Sequence, residues 1–221
     1  MGLNNSTGNM YKFVTHTWNT IKGKCPHGCV YCYVKKWGSQ PDLHFDEREL
    51  KTDLGYGNTI FVGSSCDMFA EGIDPKWVIR TLMHCENYKN SYFLQTKNPK
   101  AFELYGVGIT SLHDFALCIT METNRWYKDV MVNAPDPVER AMRFYEIPVR
   151  QKYITIEPIM DFDMDMFIRY IKINRPLQVN IGANTSNVAI PEPSKDKVLA
   201  LISELETFTI VHQKSNLKRL L

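Results

Sequence analysis

Apolar positions along the chain fall into short β-rich runs separated by longer stretches of helical period. The runs are Phe13–Trp18, Thr59–Gly63, Ser91–Gln95, Phe115–Thr120, Tyr153–Glu157 and Gln178–Gly182, with Phe208–His212 as a seventh candidate. Between them apolar residues recur at helical spacing. Val78, Leu82 and Cys85 follow Asp74-Pro75, and Val138, Ala141, Met142 and Tyr145 follow Asp136-Pro137. Met164, Phe167, Ile168 and Ile171 form a third set, and Val198, Leu201, Ile202 and Leu205 after Ser194 a fourth. An aspartate followed by proline starts a helix for a physical reason: the carboxylate accepts an orphan amide and the proline has none to lose. Strands separated by single helices make βα units, whose strands pair in parallel through right-handed crossovers. Six or seven units are too few for an eightfold barrel. The pattern therefore predicts an α/β fold, an open, partial (βα)6 TIM-like barrel of parallel strands, over residues 10–221 as one domain. Residues 1–9 are polar and are expected to be flexible.

In such barrels the reactive side chains sit where strands end and loops begin. The strand ends read Ser64-Ser65-Cys66-Asp67, Thr96-Lys97-Asn98, Glu122-Thr123-Asn124, Glu157-Pro158 and Ala183-Asn184. Substrate contacts are expected from the loops at residues 38–58 and 123–136.

Composition narrows the function only a little. The chain has 221 residues, 44% hydrophobic and 23% charged, with a net charge of +2, so it neither requires nor forbids a nucleic-acid partner. No apolar run spans a membrane and no signal peptide is legible, so the expected place is the cytoplasm. Met1-Gly2-Leu3-Asn4-Asn5-Ser6 fits an acylation pattern that nothing else in the chain requires.

The six cysteines change the picture, because three crowd into residues 25–32. A disulfide framework would spread them; crowding points to metal. Lys24-Cys25-Pro26-His27-Gly28-Cys29-Val30-Tyr31-Cys32-Tyr33 has the spacing C-x3-C-x2-C. Three thiolates on one tight loop can each bind a different iron of a 4Fe-4S cube, leaving the fourth iron open to an amine and a carboxylate. Zinc with His27 as fourth ligand is the alternative, although zinc more often takes paired ligands from two segments. Cys85 and Cys118 fall in apolar runs and read as small core residues.

C-x3-C-x-aromatic-C, with Tyr31 as the aromatic, resembles the signature of the radical S-adenosylmethionine (SAM) superfamily. Phe61–Phe69, Gln95-Thr96-Lys97-Asn98-Pro99 and Ile156-Glu157-Pro158 resemble strand-end motifs of an uncharacterised family common in phages and bacteria. That family is itself similar to spore photoproduct lyase. The likeness covers roughly residues 13–185. It implies a 4Fe-4S cluster on Cys25, Cys29 and Cys32, with S-adenosyl-L-methionine on the open iron. Reductive cleavage would then yield a 5′-deoxyadenosyl radical. It also implies an electron donor of flavodoxin or ferredoxin type, and a substrate that is a nucleobase in DNA or a nucleotide, in phage-infected cytoplasm if the chain is phage-encoded. By the same likeness Tyr31 and Tyr33 adjoin the adenine, and Gly63, Ser64 and Ser65 replace the superfamily's amine-binding Gly-Gly-Glu segment. Lys97 pairs with the cofactor carboxylate, and Glu122 and Asn124 meet the ribose. Glu157 orients substrate or pairs with Arg150, and Cys66 is a candidate hydrogen donor.

A reading of a different class is a metal-stabilised nucleic-acid-binding module, with the basic tail Lys214–Arg219 on phosphates. Trp18, Trp37, Trp77 and Trp126 are candidates for stacking on bases, with packing as the plainer role, above all for Trp77.

Overall fold

The computed structural model describes residues 2–221; Met1, which opens the acylation pattern and the polar leader, lies outside them. In chain order the strands are β1 (Asn4–Asn5), β2 (His16–Trp18), β3 (Ile21–Lys22), β4 (His44–Phe45), β5 (Thr59–Val62), β6 (Ser91–Thr96), β7 (Asp114–Thr120), β8 (Lys152–Ile156), β9 (Gln178–Ile181) and β10 (Ile210–Gln213). The helices are α1 (Pro75–Glu86), α2 (Lys100–Leu104), α3 (Gly106–Thr110), α4 (Lys128–Met131), α5 (Pro137–Glu146), α6 (Met164–Ile173) and α7 (Lys195–Glu206).

Each β-rich run contributes a strand to one sheet, ordered β1-β2-β5-β6-β7-β8-β9-β10. The seven from β2 to β10 pair in parallel, and β1 adds an antiparallel edge on β2. The sixfold count was therefore one strand short, because the run at Phe208–His212 does form β10. The antiparallel edge was not foreseen, since Asn4 and Asn5 carry no apolar signal. Between β2 and β5 the connection holds no α-helix. It carries the cysteine loop, the β3–β4 hairpin and two 3-10 segments, Tyr33–Trp37 and Glu47–Lys51.

Strand side chains alternate between two cores. Ile60, Leu94, Leu117, Ile154 and Val179 join the helices in the main core. Phe61, Phe93 and Cys118 face the other way and are covered by Tyr11 and Val14. The run from Phe13 is thus only partly strand. Residues 10–14 cross the face of the sheet away from the helices and cover it. The Tyr11 ring meets Phe93 edge-on at 5.0 Å, and its hydroxyl donates to Gln95 Oε1 (2.7 Å) and lies 2.8 Å from Thr155 Oγ1.

The helix starts are as the sequence implies. Asp74 accepts from Lys76 N and Asp136 from Val138 N, each ahead of a first-turn proline, and Ser194 accepts from Lys197 N. The periodic faces of α1 and α7 are buried, as are Phe167 and Ile171 of α6. On α5 the buried face is Pro137, Arg140, Ala141 and Phe144, while Met142 and Tyr145 are exposed. The predicted face was turned by one position, because an arginine stands where an apolar residue was sought. Among the described residues no helix is long and apolar enough to cross a membrane.

If residues 10–14 cover the sheet as a packed layer, Tyr11→Ala should cost about 3–5 kcal/mol, the range for deleting a buried aromatic side chain. Tyr11→Phe keeps the ring and loses only the hydroxyl bonds, at about 1 kcal/mol. Urea denaturation of both variants measures the difference; equal costs would place the ring outside the core.

Candidate functional site

The cysteine loop is built from short backbone turns. Gly28 N donates to Cys25 O (3.1 Å) and Cys32 N to Cys29 O (3.2 Å). It is then moored on two sides. Towards α4, Val30 N donates to Val130 O and Asn133 N to His27 O, and Cys29 and Tyr31 pack with Met131, Ala134 and Met160. Towards β5, His27 Nε2 lies 2.8 Å from Asp67 Oδ2. The histidine of the zinc alternative is thus engaged by a carboxylate.

Asp67 does more than hold His27. It accepts from Thr96 Oγ1 (2.9 Å), Lys97 N (2.8 Å) and Phe69 N (3.0 Å), tying the loop after β5 to the end of β6. Burial alone would raise its pKa, but the His27 bond and the two amides hold it below the ordinary range.

A second buried carboxylate, Glu122, lies at the end of β7. It accepts from the Tyr31 hydroxyl, from Arg140 Nη1 (2.6 Å) and pairs with Lys97 Nζ (3.0 Å). Glu122 and Arg140 are wholly inaccessible. Burial opposes ionisation of Glu122, yet Arg140 and Lys97 outweigh it and keep the group well below the usual carboxylate range. For Lys97 burial likewise opposes the charge, and Glu122 with Cys29 reverses it, raising the ammonium pKa.

Glu157, at the end of β8, receives Lys214 Nζ (2.5 Å) on one oxygen, and Asn9 Nδ2 (2.8 Å) and Asn216 Nδ2 (2.7 Å) on the other. Its cation is Lys214, not Arg150. Gly182 lies against it: a Cβ there would stand 2.6 Å from Glu157 Oε1. At the end of β5, Gly63 has φ +79°, where a side chain is strained, and a Cβ would lie 3.1 Å from Cys66 O. Ser64 Oγ and Ser65 N both bond Asn19, and the Tyr33 hydroxyl donates to Ser64 O (2.7 Å).

These groups surround one cavity of about 870 Å³. Cys25, Cys29, Cys32, Tyr31, Tyr33, Gly63, Ser64, Ser65, Cys66, Lys97 and Glu157 all line it. Asn124 does not. Its side chain accepts from Asp163 N and donates to Asp163 O, holding the start of α6. Glu122 lies behind Lys97 and Tyr31, enclosed by its partners. Of the loops expected to meet substrate, residues 38–58 contribute only 38–40 to the wall, and residues 123–136 contribute none, being the bed of the cysteine loop.

Cys25, Cys29 and Cys32 are free thiols. A hydrogen bond from Cys66 is the main cause that brings the Cys25 pKa down to about 6, and the Cys66 thiol is pushed up in turn. Burial raises Cys29. Among the described residues, no three His, Cys, Asp or Glu side chains gather around the position of a single ion. Soft sulfur donors spread along one loop, opening onto a large cavity, fit a cube in which each thiolate takes its own iron. Cys85 and Cys118 are fully buried elsewhere.

Several site residues went unread in the sequence. Arg140 could have been found as the charged member of a buried helical face. Asp67 stands in the sequence only as one of a strand-end group, and Lys214 only as part of a basic tail. Asn9 and Tyr11 carry no local signal, because they reach the cavity from the start of the chain, and Asn216 joins through Glu157 from its far end.

Fold and loop define an α/β protein with one mostly parallel sheet and a three-cysteine loop opening onto the cavity at its strand ends. Solved structures of spore photoproduct lyase share this fold. A variant with bound AdoMet and dinucleoside spore photoproduct gives a TM-score of 0.61 at 9% identity, covering 94% of this chain and 78% of that one. A cysteine-to-serine variant gives 0.60 at 9%, and a complex with dinucleoside spore photoproduct 0.56 at 8%, each with the same coverage. No family model and no curated protein matches the chain.

Arg140→Met leaves a buried carboxylate short of its main partner and should cost about 3–5 kcal/mol, while Arg140→Met with Glu122→Gln should cost less. Because the folded pKa of Glu122 is lowered, its contribution is complete above the unfolded value of about 4.3 and fades as pH falls below it. Denaturation of the reduced apoprotein between about pH 3 and 6, a window spanning the ordinary glutamate pKa, should therefore show a shallower pH slope in Glu122→Gln.

Proposed function

We propose that the chain is a radical SAM enzyme acting on a nucleobase-bearing substrate. The observation that carries this reading is the C-x3-C-x2-C loop at the mouth of a lyase-like partial barrel, its thiols opening onto the same cavity as Ser64, Lys97 and Glu157. Cys25, Cys29 and Cys32 would each hold one iron of a 4Fe-4S cluster. When bound, the cluster and S-adenosylmethionine supply one-electron cleavage of the sulfonium to methionine and a 5′-deoxyadenosyl radical, with the electron drawn from a flavodoxin- or ferredoxin-type donor.

The chain's own residues bind and orient. Ser64, Ser65 and the carbonyls around Gly63 offer hydrogen bonds to the cofactor's amino group. Lys97 offers its ammonium to the carboxylate while Glu122 keeps it charged and in place. Tyr31 locks the loop to that same carboxylate, and Tyr33 covers the adenine side. Glu157, between Lys214 and Asn9, presents a polar end of the cavity to the edge of a base. Cys66, protonated beside Cys25, can return a hydrogen atom to a product radical, and the thiyl radical left on its sulfur would be restored to the thiol by one electron from the same flavodoxin- or ferredoxin-type donor and one proton from solvent. A thymine-derived base in DNA or in a nucleotide is the substrate class, supported by the solved lyase structures that hold AdoMet and dinucleoside spore photoproduct. Of the tail in the binding-module reading, Lys214 is buried on Glu157 and Arg219 pairs with Glu192, which leaves Lys218 as its exposed cation.

Anaerobic reconstitution should give about four irons per chain, and Ala at Cys25, Cys29 or Cys32 should remove most of them, whereas Ala at Cys85 or Cys118 should not. A single zinc, or dependence on Cys85, would overturn the ligand set. Lys97→Ala should weaken S-adenosylmethionine binding by tenfold or more, about 1.4 kcal/mol, in equilibrium dialysis. Deuterium supplied on a thymine methyl or ring position should appear in 5′-deoxyadenosine; no transfer from any nucleotide or DNA would sink the substrate class.

A further inference from the structure

The four tryptophans part company in the fold. Trp18 is fully buried, and Trp77 stacks on Phe45 at 6.0 Å. Trp126 lies half exposed, away from the cavity, with Lys128 over its ring. Trp37 is 64% exposed and stands on the cavity rim. It ends the 3-10 segment Tyr33–Trp37 that follows the third cysteine directly.

Trp37 is held in place. The Tyr33 hydroxyl bonds Ser64 O, and the Tyr33 and Trp37 rings meet edge-to-face at 5.4 Å and 86°. A single exposed indole is common on protein surfaces; this one is set apart by its place on the cavity wall and by the ring that holds it, which leave an aromatic face open beside the cavity. The surroundings give the partner's charge. Lys24 is paired with Asp42 (2.9 Å), and beyond it residues 25–41 carry Lys35 and Lys36 and no aspartate or glutamate, in a chain whose net charge is only +2. Lys35 and Lys36 are exposed in the same segment as Trp37. Asn5, Ser6 and Thr7 also line the cavity and are neutral and hydrogen-bonding. Aromatic face, local cations and neutral polar wall together describe a single-stranded nucleic-acid site.

We propose that Tyr33–Trp37 is a stacking platform for single-stranded nucleic acid, and that Trp37 holds the nucleotide beside the one entering the cavity. This rests on the nucleobase reading above and adds the form of the substrate. Position argues for a strand over a mononucleotide. A base inside the cavity lies among the cysteines and strand ends, so only its neighbour reaches a ring on the rim. Paired duplex keeps its base faces stacked on one another and offers none to Trp37.

The test is fluorescence anisotropy of a labelled thymidylate hexamer with the anaerobically reconstituted full chain, alongside an iron count for every variant. Trp37→Ala should weaken hexamer binding by about 5- to 150-fold, the stacking of one base. Trp37→Phe should keep most of the affinity, and Trp126→Ala all of it. Thymidine 5′-monophosphate and hairpin duplex should compete at least tenfold less well than unlabelled hexamer (an order-of-magnitude margin). Equal binding by Trp37→Ala with iron retained, or equal competition by the mononucleotide or the duplex, would overturn the platform. Strand binding through Trp37 in a chain that assembles no cluster would uphold the platform and strike the cluster reading instead.

Discussion

A carboxylate with no access to water organises this molecule. Glu122 ends β7, and around it meet the guanidinium of α5, the ammonium at the end of β6 and the phenol of the cysteine loop. Arg140 Nη1 also bonds the carbonyl of Thr120, so the helix is keyed to the strand as well as to its last side chain. A buried ion pair of this sort adds little net stability against an apolar replacement of the same shape. What it supplies is position: each partner has one place where its charge is satisfied. The lysine facing the cavity is thereby charged and aimed before any ligand arrives, which spares the ordering that binding would otherwise demand.

Asp67 performs the same task two strands earlier, after β5, with a histidine and two backbone amides as partners. Between them the two carboxylates fasten the cysteine loop at His27 and at Tyr31, on either side of Cys29. The cysteines therefore sit on a loop whose flanks are anchored to rigid strand ends, and rigidity of support is what metal sites built on loops otherwise lack.

The strands and helix starts were legible because each has a local cause: period-2 apolar runs, or a capping side chain ahead of proline. The C-x3-C-x2-C loop was legible for the same reason, since its chemistry lies within eight consecutive positions. What failed to show were features set by tertiary pairing. Arg140 turned the predicted face of α5, because a periodicity argument counts only apolar residues, and this one is buried through its charge. Glu122 and Asn124 looked alike at a strand end, yet one turns into a salt-bridge cluster and the other out to α6. Lys214 looked like part of a basic tail and is instead the buried partner of Glu157.

The wall around Glu157 is closed by residues from opposite ends of the chain. Asn9 reaches it across 148 positions, Lys214 across 57, and Ser215 bonds Asn9 across 206. The cysteine loop closes across fewer than ten. Loop-closure entropy grows with separation. The two halves of the site thus differ in the chain entropy that their closure costs. The thiols of Cys25, Cys29 and Cys32 are kept close by a short segment, whatever the rest of the polypeptide does. The chamber in front of them exists only because both chain ends meet over the same carboxylate.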